Sequence, residues 1–161
     1  METPASAQRA RRAPLSCYSL LYMSHPIVLY DGVCGLCNRL VRFILRRDHG
    51  AIFRFASLQS SFAAHILLRH GASSDDLNTV YVVLNHDLPT ESLLSRSDAV
   101  IFVLNQLRGP WRPAASFLKL LPRFLRNRGY NAIARHRYRI FGRSETCALP
   151  NEQDRSRFLD L

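Results

Sequence analysis

Residues 27–47 read IVLYDGVCGLCNRLVRFILRR, and this stretch decides the fold. Its first four residues form a continuous apolar run, which is typical of a strand buried on both faces. An Asp-Gly pair at 31–32 ends the run, and from Cys34 onward the apolar residues recur at helical spacing. The stretch therefore predicts a strand that leads directly into a helix, with two cysteines three positions apart at the junction.

Five further segments carry the patterns of strands or helices. Apolar runs and breaker residues place them at 52–56 (strand), 60–71 (helix), 80–84 with 91–95 (hairpin strands) and 98–107 (helix). We expect Ser97 to N-cap the last of these helices. Because a helix joins the first two strands, these should be parallel, whereas the two strands of the hairpin are antiparallel. The resulting order, β-α-β-α-β-β-α, is that of a thioredoxin-like α/β sandwich.

A chain of 161 residues that is 47% hydrophobic fits a single domain and is too apolar to be wholly disordered. No apolar run approaches the roughly 18 residues of a membrane-spanning helix, so no transmembrane segment is predicted. We divide the chain into a flexible N-terminal tail (1–24), a thioredoxin-like core (25–108) and a basic helical C-terminal extension of the same domain (109–161). Helices are predicted in this extension at 113–121 and 130–141.

The positive charge of the chain is concentrated near its C-terminus. Lys and Arg number 22 against 12 Asp and Glu, which gives a net charge of +10. Between Arg108 and Arg143 there are nine arginines and Lys119 but no acidic residue, so this basic region carries the whole excess. It can bind an anionic membrane, nucleic acid or an acidic partner, or it can be a solvated face. No nucleic-acid-binding motif accompanies it.

The two cysteines at the strand–helix junction are the candidate reactive groups. Cys34 lies in the first turn, where unpaired N–H groups and the helix dipole stabilise a thiolate, the nucleophile of disulfide exchange. Cys37 lies deeper in the helix, so we expect it to be the less exposed and to resolve a mixed disulfide. A C-x-x-C that follows a buried strand in a β-α-β unit predicts redox chemistry.

Two other interpretations of the cysteine pair stay open. A zinc site needs two more ligands at suitable spacing. Cys17, Cys147 and the six histidines are scattered, without a second C-x-x-C or an H-x3-H, so no metal is predicted. The pair can also be structural, as two buried cysteines without chemistry.

Asp31 lies three residues before Cys34. As an N-cap it would accept a hydrogen bond from the backbone N–H of Val33 or Cys34, and its negative charge would raise the pKa of Cys34. It could also accept or relay the proton of the exchange reaction. The two roles are compatible.

Together these residues resemble the DCC family of thiol-disulfide oxidoreductases, which is named for an Asp-Cys-Cys pattern. The resemblance starts with Tyr30-Asp31-Gly32-x-Cys34-x-x-Cys37 and covers roughly residues 27–150. The other matching segments are Arg46-Arg47-Asp48, Leu58-Gln59-Ser60, Arg96-Ser97-Asp98-Ala99, Pro122-Arg123, Tyr130, Ile133-Ala134, Arg137-Tyr138, Phe141-Gly142, Cys147 and Pro150. The resemblance implies a thioredoxin-like fold and dithiol–disulfide exchange.

The chain departs from the expected pattern at two places. Many relatives carry proline after the first cysteine, where this chain has Gly35, and the residues between the cysteines help to set the redox potential. Thioredoxins place a cis-proline before the third strand, where this chain reads Asn78-Thr79. The resemblance therefore does not carry over the peptide groove of thioredoxins.

Arg137 is predicted on the apolar face of the last helix, whereas the neighbouring arginines point away. One interpretation is that its stem covers apolar surface while its head reaches water. The other is that it pairs with a carboxylate, Asp31 or Asp98, or binds an anionic substrate near the site. Cys147 matches a late cysteine of the family and is either a third redox thiol or a small buried residue.

The leading hypothesis is a cytoplasmic protein thiol-disulfide oxidoreductase. In it Cys34 attacks, Cys37 resolves, and Asp31 supports proton transfer or the helix cap. Its substrates would be protein or small-molecule disulfides and thiols. No bound cofactor is predicted, and glutathione or another thiol donor is the candidate co-substrate. The alternative is a noncatalytic module that docks on anionic membrane or nucleic acid through the basic region.

Overall fold

The computed structural model describes residues 25–73, 79–143 and 151–160. The predicted N-terminal tail, Cys17 and Cys147 lie outside these ranges. The described elements are β1 (Ile27–Tyr30), α1 (Gly35–Arg47), β2 (Arg54–Ser57), α2 (Ser61–Arg69), β3 (Tyr81–Leu84), β4 (Ser92–Ser95), α3 (Arg96–Gln106), α4 (Trp111–Leu120), α5 (Arg123–Phe141) and α6 (Glu152–Arg155). Within the same ranges, no helix has both the length and the apolar character needed to cross a bilayer.

The four strands form one mixed sheet in the order β2-β1-β3-β4. Strands β1 and β2 are parallel, as the helical crossover between them predicts. Strand β3 is antiparallel both to β1 and to its hairpin partner β4. Together with the helices, this arrangement is the predicted thioredoxin-like α/β fold.

The residues of β1 alternate between the two faces of the sheet. Val28 belongs to a core cluster that α1 and α3 cover, with Ile44 of α1 among its members. Leu29 belongs to the opposite cluster, which α2 covers through residues such as Ile66. Every residue of β1 is buried, so its continuous apolar run reflects a strand with helices on both faces. The loop after β1 carries the candidate site.

The start of α3 differs from the prediction. The helix begins at Arg96 with Ser95 as its N-cap, and no side chain caps it. Arg96 has a positive φ of 53°, which turns the chain from β4 into the helix without a loop. The Ser97 hydroxyl instead donates to the side-chain oxygen of Asn127 at 2.6 Å. The prediction that Ser97 caps the helix was therefore wrong.

The basic region contains α4 and a longer α5 than predicted. Helix α4 begins at Trp111, two residues before the predicted start, and α5 begins at Arg123 rather than at residue 130. Pro122 occupies the N-cap position of α5, and Gly129 lies inside the helix. The prediction began the helix after this glycine, whereas packing of α5 against α1 and α3 keeps the helix continuous through it.

The last described residues return to the edge of the sheet. The N–H of Phe55 in β2 donates to the carbonyl of Arg157, and the N–H of Leu159 donates to the carbonyl of Phe55. The Arg157 guanidinium also forms a buried ion pair with Asp48 at the end of α1. This return covers the edge of β2, which would otherwise present unpaired backbone groups.

Candidate redox site

The loop that joins β1 to α1 places Cys34 at the N-terminus of the helix. Cys34 itself is the N-cap residue, and its sulfur accepts a hydrogen bond from the backbone N–H of Cys37 at 3.4 Å. Asp31 is therefore not the N-cap, in contrast to one of the roles considered for it. Both cysteines are free thiols in the structure. The sulfur of Cys34 thus lies where helix N–H groups and the dipole stabilise a negative charge.

The two thiols have opposite pKa shifts. The pKa of Cys34 is lowered from 9.0 to about 6 because the Cys37 side chain donates a hydrogen bond to its sulfur. The Cys37 N–H and the charge of Arg137 act in the same direction, and burial acts against them. The pKa of Cys37 is raised by that same side-chain hydrogen bond and by burial. Near neutral pH the pair is one thiolate, on Cys34, and one protonated thiol.

Asp31 does not determine the direction of the Cys34 pKa shift, because Cys37 and Arg137 make the net shift downward. Asp31 is fully buried, and its carboxylate is occupied by donors other than the thiols. Its Oδ1 accepts from the Val33 N–H at 3.1 Å and from the Gln59 amide at 2.8 Å. Its Oδ2 accepts from Arg137 at 2.8 Å and from the Tyr138 hydroxyl. The cation beside it offsets its charge.

Arg137 comes from α5, more than a hundred residues further along the chain, and is only 2% exposed. The structure pairs it with Asp31 rather than exposing its head to water. Asp98, the other carboxylate considered, pairs instead with Arg123 and Arg126. Arg137 thus brings a buried cation to the dithiol, where it lowers the pKa of Cys34.

Sequence reasoning missed two side chains that complete this network. Tyr138 accepts a hydrogen bond from Arg137 at 2.7 Å while its own hydroxyl donates to Asp31. Gln59, at the end of the loop after β2, reaches the other oxygen of Asp31. Both belong to segments of the family resemblance, which was the available signal, but neither was assigned a role.

The end of α5 lies directly over the cysteines. The Gly35 N–H donates to the Gly142 carbonyl at 3.2 Å, and Cys34 forms an antiparallel bridge with Arg143. Cys34 is 0% exposed and Cys37 is 4% exposed, so both thiols are buried and the greater exposure expected for Cys34 is not observed. We refer to residues 141–143 as the C-terminal cover.

The C-terminal cover explains why glycine follows the first cysteine. A Cβ atom at position 35 would lie 2.3 Å from the carbonyl oxygen of Phe141, closer than real Cβ contacts allow. A proline there would also lack the N–H that Gly35 donates to Gly142. Gly35 is therefore required by the close approach of backbone from another element, not by flexibility of the turn.

We expect reduced protein to form the Cys34 thiolate with a midpoint near pH 6 rather than near 9. The folded-state pKa lies below that of the unfolded thiol, so the associated stabilisation is lost as the pH falls through about 6. The measurement is the ultraviolet absorbance of the thiolate as a function of pH, with Cys34→Ser as the control that should lose this transition. A wild-type midpoint near 9 would contradict the assignment.

Within the described ranges, the cysteines are not part of any group of three side chains placed to hold a metal ion. The group that meets this criterion is His86, Asp87 and Glu91 in the β3–β4 hairpin. Glu91 there already accepts hydrogen bonds from both His70 and His86. The side chains of the hairpin group thus pair with one another. The two cysteines are free thiols.

A dithiol at the N-terminus of the first helix of such a sandwich defines a thioredoxin-like protein of the C-x-x-C type. Residues 28–143 match the model of the DCC1-like thiol-disulfide oxidoreductase family. The chain belongs to this family, as the resemblance predicted.

Two relatives illustrate the similarity. A chloroplastic DCC family protein of Arabidopsis thaliana is 38% identical over 124 residues, which cover 77% of this chain and 69% of the relative. The uncharacterized protein YuxK of Bacillus subtilis is 36% identical over 133 residues, which cover 83% of this chain and 93% of the relative. No solved structure gave a significant match to the chain.

Proposed function

We propose that this protein catalyses thiol–disulfide exchange, with Cys34 as the nucleophile and Cys37 as the resolving thiol. The observation that carries the proposal is the position of the Cys34 sulfur at the N-terminus of α1, where it accepts a hydrogen bond from the Cys37 N–H at 3.4 Å. Hydrogen bonding from Cys37 lowers the pKa of Cys34 to about 6, and the pKa of Cys37 is raised. A thiolate beside a protonated thiol is the state that the first step of exchange requires.

The proposed reaction conserves atoms and electrons. The Cys34 thiolate attacks one sulfur of a substrate disulfide, that disulfide breaks, and the first substrate sulfur leaves as a thiolate and takes up a proton. Cys37 then loses its proton, and its thiolate attacks the Cys34 sulfur in the mixed disulfide. The Cys34–Cys37 disulfide forms and the second substrate thiol leaves. The substrate gains two electrons and the dithiol loses two.

We propose that Asp31 acts through Arg137. Its carboxylate holds the guanidinium in place, and the guanidinium stabilises the thiolate of Cys34. In the covered state the carboxylate is saturated by donors, so the proton-accepting role proposed for it requires a rearrangement of these hydrogen bonds. Arg137 and Asp31 are in this sense positioning residues, whereas Cys34 and Cys37 react.

The substrates we propose are protein or small-molecule disulfides and thiols, with glutathione or another thiol as electron donor. No bound cofactor takes part in these steps. A dithiol that must be re-reduced fits the cytoplasm, where thiols are kept reduced. We therefore propose a cytoplasmic location.

We expect a glutathione redox titration of the purified protein to show a reversible two-electron transition between roughly −270 and −120 mV. Peptide mass mapping should assign it to a Cys34–Cys37 bond. Cys37→Ser should accumulate a mixed disulfide between Cys34 and glutathione, because the resolving thiol is absent. Cys34→Ser should form neither species and is the control. If no Cys34–Cys37 bond forms in this range, the proposed function is wrong.

A further inference from the structure

A groove of about 640 Å³ lies between α3, α4 and α5, away from the cysteines. Its walls are mainly aliphatic and include Val100, Ile101, Leu118, Leu121, Leu125 and Ile133. Arg126 also lines the groove, and its buried Nε has no hydrogen-bond partner among the described residues. The groove therefore combines an apolar interior with this unpaired N–H of an arginine whose Nη1 pairs with Asp98.

Large apolar side chains are exposed at the elbow between α4 and α5, next to this groove. Phe117 is 68% exposed, Leu120 80% and Phe124 74%. The three lie within eight residues of chain, on the last turns of α4 and the first turn of α5. Isolated exposed apolar residues are common on soluble proteins, but three large ones within so short a segment point to an interaction surface.

Exposed cations lie at and near the same elbow. Lys119 and Arg128 are close to it in sequence and Arg112 is at the start of α4, and no ion pair with an acidic group holds these three within the described part of the chain. Arg123 and Arg126, by contrast, pair with Asp98. The sequence from residue 108 to residue 143 contains no Asp or Glu. Exposed apolar side chains interleaved with unpaired cations complement a surface that is both apolar and negatively charged.

We propose that the elbow of α4 and α5 docks on the surface of an anionic lipid bilayer. Phe117, Leu120 and Phe124 would enter the boundary between headgroups and acyl chains, and the surrounding cations would contact lipid phosphates. A nucleic acid would satisfy the cations but would leave an aliphatic side chain such as Leu120 exposed. An anionic bilayer can bind both kinds of side chain at once, the cations through its phosphates and the apolar groups through its acyl chains.

This surface is compatible with access to the dithiol. Helix α5 has 19 residues and begins at the elbow, and it ends at the C-terminal cover beside Cys34. At 1.5 Å per residue its two ends are about 28 Å apart. A contact confined to the elbow would therefore lie at the opposite end of α5 from the C-terminal cover. The proposal does not depend on the thiol–disulfide function.

The test is co-sedimentation of the full chain with vesicles of phosphatidylcholine, with and without phosphatidylserine. We expect binding only when phosphatidylserine is present, and we expect it to weaken as salt is raised. The triple variant Phe117→Ser, Leu120→Ser, Phe124→Ser keeps every cation and should reduce the binding constant at least about tenfold. Leu68→Ser, which removes an equally exposed side chain from α2, is the matched control and should bind normally.

Three results would overturn the proposal. The wild-type chain could fail to bind phosphatidylserine vesicles, or the triple variant could bind them as well as the wild type. Duplex DNA or RNA could compete fully with vesicles and bind the triple variant unchanged, which would assign the basic region to nucleic acid. Circular dichroism of each variant verifies the fold, and because the altered side chains are exposed, we expect it to be retained.

Discussion

Replacing Arg137 with leucine should destabilise the protein by about 3–5 kcal/mol, the range measured when one partner of a buried ion pair is removed. The remaining Asp31 carboxylate is fully buried, and its charge would lose its compensating cation. Urea denaturation measures this loss. Arg135→Leu, an exposed site on the same helix, should change the free energy of unfolding by less than about 0.5 kcal/mol.

The same substitution should raise the pKa of Cys34. Arg137 is one of the groups that lower this pKa, whereas the helix N–H groups and the Cys37 thiol remain in the variant. The shift is measured by the absorbance of the thiolate as a function of pH. If the role of Arg137 were purely structural, the pKa of Cys34 would stay unchanged. If the leucine variant does not fold, Arg137→Lys keeps the charge but not the paired geometry, and it should fall between wild type and leucine.

A double variant separates the two effects of the ion pair. Asp31→Asn combined with Arg137→Leu removes both buried charges, so part of the lost stability should return. The pKa of Cys34 should stay raised, because the cation that lowers it is still missing. If Arg137→Leu changes neither the stability nor the reactivity of Cys34, the proposed role of the pair is wrong.

The sequence predicted the sheet well because its signals are local. The apolar run of β1 and the helical crossover after it determine that β1 and β2 are parallel, and the hairpin determines β3 and β4. The start of α5 was missed because glycine weakens a helix locally, and only tertiary packing shows that α5 continues through Gly129 to its N-cap at Pro122. The return of the last residues to β2 has no local signature at all.

The site was predictable as a set of residues but not as a network. Cys34, Cys37 and Asp31 lie within seven positions, so their spacing alone groups them. Arg137 could be singled out because it interrupts an apolar helix face, but its choice between two carboxylates depends on how distant elements pack. The C-terminal cover could not be predicted for the same reason, because nothing near Gly35 in the sequence indicates that another backbone segment lies against it.

Replacing Gly35 with alanine should displace the C-terminal cover and expose Cys34. The added Cβ would lie 2.3 Å from a backbone oxygen, which cannot move aside as a flexible side chain can. We expect alkylation of Cys34 by iodoacetamide at fixed pH to accelerate about tenfold, which corresponds to roughly 1.4 kcal/mol less free energy for opening the cover. Peptide mapping assigns the modified cysteine.

Gly129→Ala is the matched control for this prediction. Gly129 also lies in a helix, but nothing is within 4 Å of a Cβ added there. The control should stabilise the protein by up to about 1 kcal/mol through helix propensity and leave the alkylation rate of Cys34 unchanged. If Gly35→Ala destabilises the protein while Gly129→Ala stabilises it, the effect at position 35 comes from the cover and not from replacing a helical glycine in general.

Gly35→Pro distinguishes a steric cover from one that also tunes the thiolate. Proline is well tolerated at the first position of a helix, so α1 should persist while the hydrogen bond to Gly142 is lost. The groups that lower the pKa of Cys34 belong to α1 and Arg137, not to residues 141–143. Alkylation should therefore accelerate while the thiolate midpoint stays near pH 6. If the thiolate midpoint rises together with the alkylation rate, the cover also holds Arg137 against the dithiol. If the alkylation rate is unchanged in both Gly35 variants, the cover does not control access to Cys34.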